Sequence, residues 1–363
     1  MLLGIRMSVP TPSKLFTPLT LRGVTARNRL WVSPMCQYSA TDGLPDAWHL
    51  VHLGSRAVGG AGVVITEATA VSPEGRISPA CTGLWADEHT RAWAPITEFV
   101  RSQGALAGIQ LNHSGRKGSS RRPWQGRGAV TLPEGGWVPL GPTDAPFPSL
   151  TAPAALNEAG LATVRADFVS ATRRALTAGF DLVEVHAAHG YLLHQFLSPL
   201  SNTRTDAYGG DLAGRLRLTL EVLEDVRAAW PDDRPLLLRV SASDWTEGGW
   251  TPEDTVVLAK EAASRGVDLV DISSGGNVLA DIPLTPGYQV PFAAQVRRDA
   301  GILTSAVGLI TEPAQAEQVL QEGSADVVMV GRKALRDPYF PLRAAEALGV
   351  DVHWPDQYLR ARP

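Results

Sequence analysis

Eight short runs of apolar, largely β-branched residues punctuate the chain, each followed by a stretch with helical periodicity. They are NRLWVSPM (28–35), GVVITEATA (62–70), ALAGIQL (105–111), DLVEVHA (181–187), PLLLRVSAS (235–243), DLVDISS (268–274), ILTSAVGL (302–309) and DVVMVG (326–331). None alternates cleanly between apolar and polar positions, the pattern of strands in a parallel sheet covered on both faces. The intervening segments are amphipathic. EHTRAWAPITEFVRSQG is one, and TPEDTVVLAKEAASRG adds a Thr-Pro-Glu start and a Gly stop. Eight strand–helix units predict an α/β fold, a (β/α)8 barrel forming a single domain over residues 1–363. A doubly wound open sheet would want a G-x-G-x-x-G turn after an early strand, with an acid about 20 positions on; the chain has none.

Two segments break the alternation. Residues 115–156, rich in Gly, Pro and Trp, follow the third strand and are long enough to be a lid. Residues 350–363 form a tail that ends, in HWPDQYLRARP, with no helix of its own. Residues 1–13 read as an N-terminal extension, with either Met1 or Met7 as the start.

Composition narrows the partners. With 44% apolar and 19% charged residues the chain is globular, and a net charge of −4 gives no reason to expect nucleic acid or an anionic membrane. Two cysteines, Cys36 and Cys81, make neither a disulfide framework nor a thiolate zinc site. The start, MLLGIRMSVPTPSK, reads as too short in its apolar part for a secretory leader, and no later stretch holds about 18 apolar residues without a charge. These features predict a cytoplasmic protein acting on small molecules.

Candidate chemistry gathers at the C-terminal strand ends, the active face of such barrels. The first strand ends in Ser33, Pro34, Met35 and Cys36, followed by Tyr38; the third in Gln110, His113, Arg116 and Lys117; the fourth in His186, His189 and Tyr191; the fifth in Arg239. The glycine turns after the last two strands, AVGLI and VGRKAL, each run toward a helix N-terminus, where backbone N–H groups favour a phosphate, and Arg332 adds a bidentate partner. The spacing of His186 and His189 also suits a metal, but zinc would need a third protein ligand, and neither acids nor cysteines cluster at the neighbouring strand ends. Buried structural histidines are a second alternative. The reading favoured is a hydrogen-bonding pair for an anionic or carbonyl oxygen, with the Tyr191 hydroxyl as a proton source. Cys36 lacks the context of an activated nucleophile, and a buried inert thiol is the plain alternative. Arg239, at the top of an interior strand, is costly to bury without an anion.

The motifs SPMCQY, GIQLNHSGRK, VEVHAAHGYLLHQFLSPLSNTRTDAYGG, LLLRVSASDW and VVMVGRKALRDPYF, in this order from about Lys14 to the tail, resemble those of the Old Yellow Enzyme flavoproteins, in particular the bacterial thermophilic-like and xenobiotic reductase branch. The resemblance implies non-covalent FMN, NADPH or NADH as reductant, and ping-pong reduction of activated alkenes through flavin N5. It implies that Ser33, Pro34, Met35 and Ala68 line the flavin, Gln110 bonds its pyrimidine edge and Arg239 sits by N1 and O2. Ser273, Gly308, Gly331 and Arg332 would hold the phosphate. Cys36 would tune potential and substrate fit, and Tyr38 would join the substrate site. His186 and His189 would bind the oxygen of an enone, maleimide or nitroalkene, and Tyr191 would protonate the α-carbon. A homodimer or homotetramer would bring Arg360 into a neighbouring site, a place for which Trp354 competes. Set against this are a flavin-free barrel hydrolase and a non-catalytic flavin-binding or redox-sensing protein.

Overall fold

A computed structural model describes residues 12–362; the choice between Met1 and Met7, and most of the 1–13 extension, lie outside the described residues. Eight strands close into one parallel barrel: β1 Leu30–Val32, β2 Val63–Ala70, β3 Leu106–Asn112, β4 Leu182–Ala187, β5 Leu236–Ser241, β6 Leu269–Ser273, β7 Leu303–Ala306 and β8 Val327–Val330. Each pairs with the next, and β8 pairs with β1. Seven fall inside the runs predicted from the sequence, and β3 passes the end of its run by one residue, Asn112. The outer layer is α1 Ala47–Val58, α2 Asp87–Ser102, α3 Glu158–Thr177, α4 Leu212–Ala229, α5 Pro252–Ser264, α6 Val290–Ala300, α7 Pro313–Gln321 and α8 Phe340–Ala347. Thr251 caps α5 reciprocally with Asp254, so the Thr-Pro-Glu signal marks a real helix start. None of these helices is long and apolar enough to cross a membrane.

The missing alternation has a simple cause. Along each strand one set of side chains points into the barrel and the other toward the helices, and at the bottom both are apolar. Trp31, Val63, Ile65, Leu182, Leu237, Leu269, Val327 and Met329 fill the lower interior. Their neighbours Val32, Val64, Val183, Leu236, Leu238, Val270 and Val328 belong to the cluster beneath the helices. An antiparallel hairpin, Leu19–Leu21 with Val24–Ala26, closes the lower end with Leu19, Leu21 and Ala26. This plug was not predicted, although its short period-2 pattern is visible in LTLRGVTA.

Two other departures lie outside the barrel. The 115–156 segment is not featureless: it holds short 3-10 turns and a small parallel pairing of Leu140–Gly141 with Ala154–Ala155. The tail, expected to lack a helix, forms a 3-10 helix over Asp356–Ala361, held by a tyrosine contact between Tyr339 and Tyr358.

Candidate active site

Within the barrel, inward-facing side chains turn polar about halfway up. Register places Gln110 beside Glu184, His186 beside Arg239, and Asp271 between Arg239 and Ser305. Arg239 Nε lies 2.9 Å from Asp271 Oδ2, both side chains almost fully buried. That contact joins charges without an aligned hydrogen bond. Asp271 Oδ1 accepts from Ser305 Oγ at 2.5 Å, and Glu184 Oε1 accepts from Gln110 Nε2 at 2.7 Å. So the anion that Arg239 requires is supplied by the protein itself, from mid-strand rather than from the strand ends. Glu184 and Asp271 stand two residues below His186 and Ser273, on the same inward face. An acid inside an otherwise β-branched run, in VEVH and VDIS, was the available signal.

Burial in this layer, reinforced by the Asp271 charge, raises the Glu184 carboxyl to about 8. Glu184 therefore keeps its proton in the folded state at neutral pH, and Arg239 faces one carboxylate rather than two. A raised acid favours folding below its ordinary value of 4.5 and loses that contribution as pH climbs toward 8. Glu184→Gln is thus expected to flatten the decline of Tm between pH 5 and pH 8. An unchanged slope would show that Glu184 ionises in place.

Above this layer the wall opens. A cavity of about 290 Å³ is lined by Ser33, Pro34, Met35, Arg239, Ser273, Gly308, Gly331 and Arg332, together with Tyr288, Gln289 and the 309–311 turn. Eight of the eleven residues assigned to a flavin from the sequence thus meet at one opening. The other three, Cys36, Ala68 and Gln110, do not line it, but Ala68 pairs with Gln110 across β2 and β3. One detail differs from expectation. Helix α7 begins only at Pro313, five residues past Gly308, so after β7 it is the turn itself, not a helix N-terminus, that faces the cavity. Gly308 adopts φ +127, and a Cβ there would lie 3.0 Å from Gln289 and Tyr288, so the turn needs glycine.

The fourth strand end carries the remaining chemistry. His186 is the fifth residue of β4, while His189 and Gly190 take left-handed conformations, φ 58 and 71, in the turn that follows. The two imidazoles come together through this strained turn, not through helical spacing. Their centroids are 5.2 Å apart, and Tyr191 lies 5.1 Å from His186. His186 Nδ1 accepts from the Ala188 amide, which leaves its proton on Nε2. His189 Nε2 is 2.6 Å from Ser273 Oγ. Burial pushes both imidazoles well below 6.5, with Arg239 adding to it, so both are neutral. Burial also raises the Tyr191 phenol, which keeps its proton.

The turn is held from several sides. Lys117 Nζ donates to the carbonyls of His189 and Gly276 at 2.8 and 2.9 Å. His194 Nδ1 accepts from the Gly190 amide, and its Nε2 meets buried Asp244 at 3.1 Å. Arg116 donates to Asn277 O at 2.8 Å. Lys117 and Arg116, grouped at a strand end from the sequence, therefore brace the site from behind, and His113 O accepts from the Leu192 amide at 2.9 Å. His194 and Asp244 were not predicted; a histidine within the apolar helical run LLHQFL was the signal.

Cys36, Tyr38 and Tyr191 pack against Ala68, Ile77 and Cys81 in one small cluster. Trp124, from the long segment, meets Tyr38 edge-on at 5.9 Å, which brings that segment over the site. Arg360 and Trp354 do not join the cavity of their own chain. Arg360 is exposed, and Trp354 sits beside Glu346, Val350 and Arg362.

A profile of the NADH:flavin oxidoreductase / NADH oxidase family matches residues 14–350. The chain belongs to this family. It is 45% identical over 349 residues to the NADPH dehydrogenase of Bacillus subtilis (strain 168), covering 96% of this chain and 98% of that one. The NADPH dehydrogenase of Listeria innocua serovar 6a is 46% identical over 352 residues, covering 96% and 99%. The fold also matches the Old Yellow Enzyme homologue of Zymomonas mobilis, with TM-score 0.80, 27% identity and coverage of 97% and 99%. Morphinone reductase in complex with tetrahydroNAD matches with TM-score 0.78, 28% identity and coverage of 95% and 93%. The chain is therefore an oxidoreductase whose family uses FMN and NADPH, which overturns the alternatives of a flavin-free hydrolase and a non-catalytic flavin protein. The donor set fits FMN. Buried Arg239 has one protein partner among the described residues and lines the cavity, beside a glycine turn and Arg332 suited to a phosphate.

Proposed function

We propose that this protein reduces the activated C=C bond of α,β-unsaturated carbonyl or nitro compounds, with NADPH as the preferred reductant over NADH. What supports this reading is one arrangement: two neutral imidazoles and a protonated phenol converge beside a cavity whose floor carries a fixed guanidinium. FMN held by these residues would supply the hydride chemistry, with NADPH as its reductant. His186 and His189 hold the carbonyl or nitro oxygen of an enone, maleimide or nitroalkene through N–H donors and stabilise the charge that develops there. Tyr191 gives its proton to the α-carbon. Arg239, fixed by Asp271, offers its remaining N–H groups to the pyrimidine edge, with Gln110 alongside. Ser33, Pro34, Met35 and Ala68 form the wall, and Ser273, Gly308, Gly331 and Arg332 surround the phosphate. Cys36 and Tyr38 shape the substrate side under Trp124. In a dimer or tetramer Arg360 of one copy completes the site of another, and a cytoplasmic supply of NADPH feeds the reaction.

One spectrum series tests the core of this. The purified protein is expected to absorb as an oxidised flavin, to bleach with NADPH in the absence of dioxygen, and to recover its colour on adding cyclohexenone. Bleaching by NADPH without recovery on any enone, maleimide or nitroalkene would refute the alkene reading while leaving the family intact.

A further inference from the structure

The chain's two cysteines, 45 positions apart in sequence, stand together in space. Cys36 follows β1 and Cys81 follows β2, and the two loops run side by side: the Ala40 amide donates to Ala80 O at 3.0 Å, and the Gly83 amide to Gly43 O at 2.9 Å. Cys81 is fully buried in a cluster with Ala68 and Ile77, and half-buried Cys36 packs against that cluster together with Tyr38 and Tyr191. Cys36 is also close enough to raise the Cys81 thiol, with burial adding to the shift. An apolar pocket explains one buried thiol; it does not explain a second packed against the same small cluster and open to solvent.

We propose that Cys36 and Cys81 are a peroxide-modifiable pair, Cys36 the attacked thiol and Cys81 the resolving one, which together form an intrachain disulfide. In the first step the Cys36 sulfur takes an oxygen from hydrogen peroxide. The O–O bond breaks, the thiol proton joins the departing hydroxide, and one water leaves. In the second, the Cys81 sulfur attacks the Cys36 sulfur, the S–O bond breaks, and a second water carries off the Cys81 proton. Two thiols lose two electrons and the peroxide gains them. The division of labour follows from access: a small oxidant reaches half-buried Cys36, whereas Cys81 has no exposed surface. The neighbouring Cys36 thiol and burial both raise the Cys81 thiol. The bond would tie the β1 and β2 loops together and remove the Cys36 thiol from beside Tyr38 and Tyr191. None of this depends on the choice of alkene substrate.

The test treats the FMN-loaded protein with hydrogen peroxide and maps it by mass under non-reducing conditions. Trypsin separates the two sites, since Cys36 lies in peptide 30–56 and Cys81 in peptide 77–91. The expected product is these peptides joined, with both thiols lost and both regained in dithiothreitol. Cys81→Ser is expected to carry Cys36 on to sulfinic acid at the same peroxide dose. Wild-type protein in which Cys36 reaches sulfinic acid while Cys81 stays free, or in which the disulfide links two chains, would overturn the pairing. The wild-type map decides the matter even if Cys81→Ser fails to fold.

Discussion

Replacing both His186 and His189 by alanine is expected to abolish alkene reduction while leaving FMN bound and reducible by NADPH. His186 carries its proton on Nε2 and a second neutral imidazole, His189, stands beside it; loss of one preorganised donor of this kind costs about 10²- to 10³-fold in rate. The flavin should survive, because neither histidine lines the cavity that holds Ser33, Gly308, Gly331 and Arg332. Binding of a simple phenol, followed by the long-wavelength band it gives with an oxidised flavin, should vanish with alkene turnover. Because both imidazoles are held neutral, phenol affinity in the wild type should show no histidine titration between pH 6 and 8. A double variant that still binds phenol tightly would remove the oxygen-binding role from this pair.

Tyr191→Phe separates a second role. Its hydroxyl is protonated and packed against Cys36 and Tyr38, so the substitution removes a proton donor and little volume. Reduction by NADPH and phenol binding should persist while re-oxidation by enones slows. Nitroalkenes should suffer less, since a nitronate can leave and take its proton from water. A variant slowed chiefly in reduction by NADPH would contradict the assignment.

What the sequence made legible, and what it hid, divides along a physical line. Every barrel strand was readable because burial on both faces demands continuous apolar runs, as in LVEVHA and LLLRVS. The residues that line the cavity were readable because strand ends and glycine turns are local features. The braces were not. Asp271 under Arg239, Glu184 beside Gln110, and Asp244 behind His194 act across strands, and which acid meets which base follows from barrel register rather than spacing. His189 is the instructive middle case. Its place at the end of the fourth strand was legible, but the left-handed turn that aligns it with His186 was not.

Arg239→Ala is expected to have a large structural effect and a separate effect on the cofactor. Its guanidinium is the partner of Asp271 in a fully buried contact, and removing one member of such a pair typically costs about 3–5 kcal/mol because the other charge is stranded. Ser305 alone then faces the Asp271 carboxylate. The double variant Arg239→Ala/Asp271→Ala should therefore recover much of the stability lost in Arg239→Ala alone, since no buried charge is left behind. FMN affinity should not recover with it, because the cation that faces the cavity is absent from both variants. The flavin potential should fall in both, a fixed cation near a reduced, anionic ring being a stabiliser of that state. Arg239→Lys keeps the charge but not the planar fork, so it should be milder in stability than in FMN affinity. Thermal unfolding of the apoproteins, set beside fluorescence titration with FMN, reads the two effects independently. Equal stability loss in the single and double variants would show that Asp271 is not stranded, and unchanged FMN affinity in Arg239→Ala would remove the guanidinium from the cofactor site.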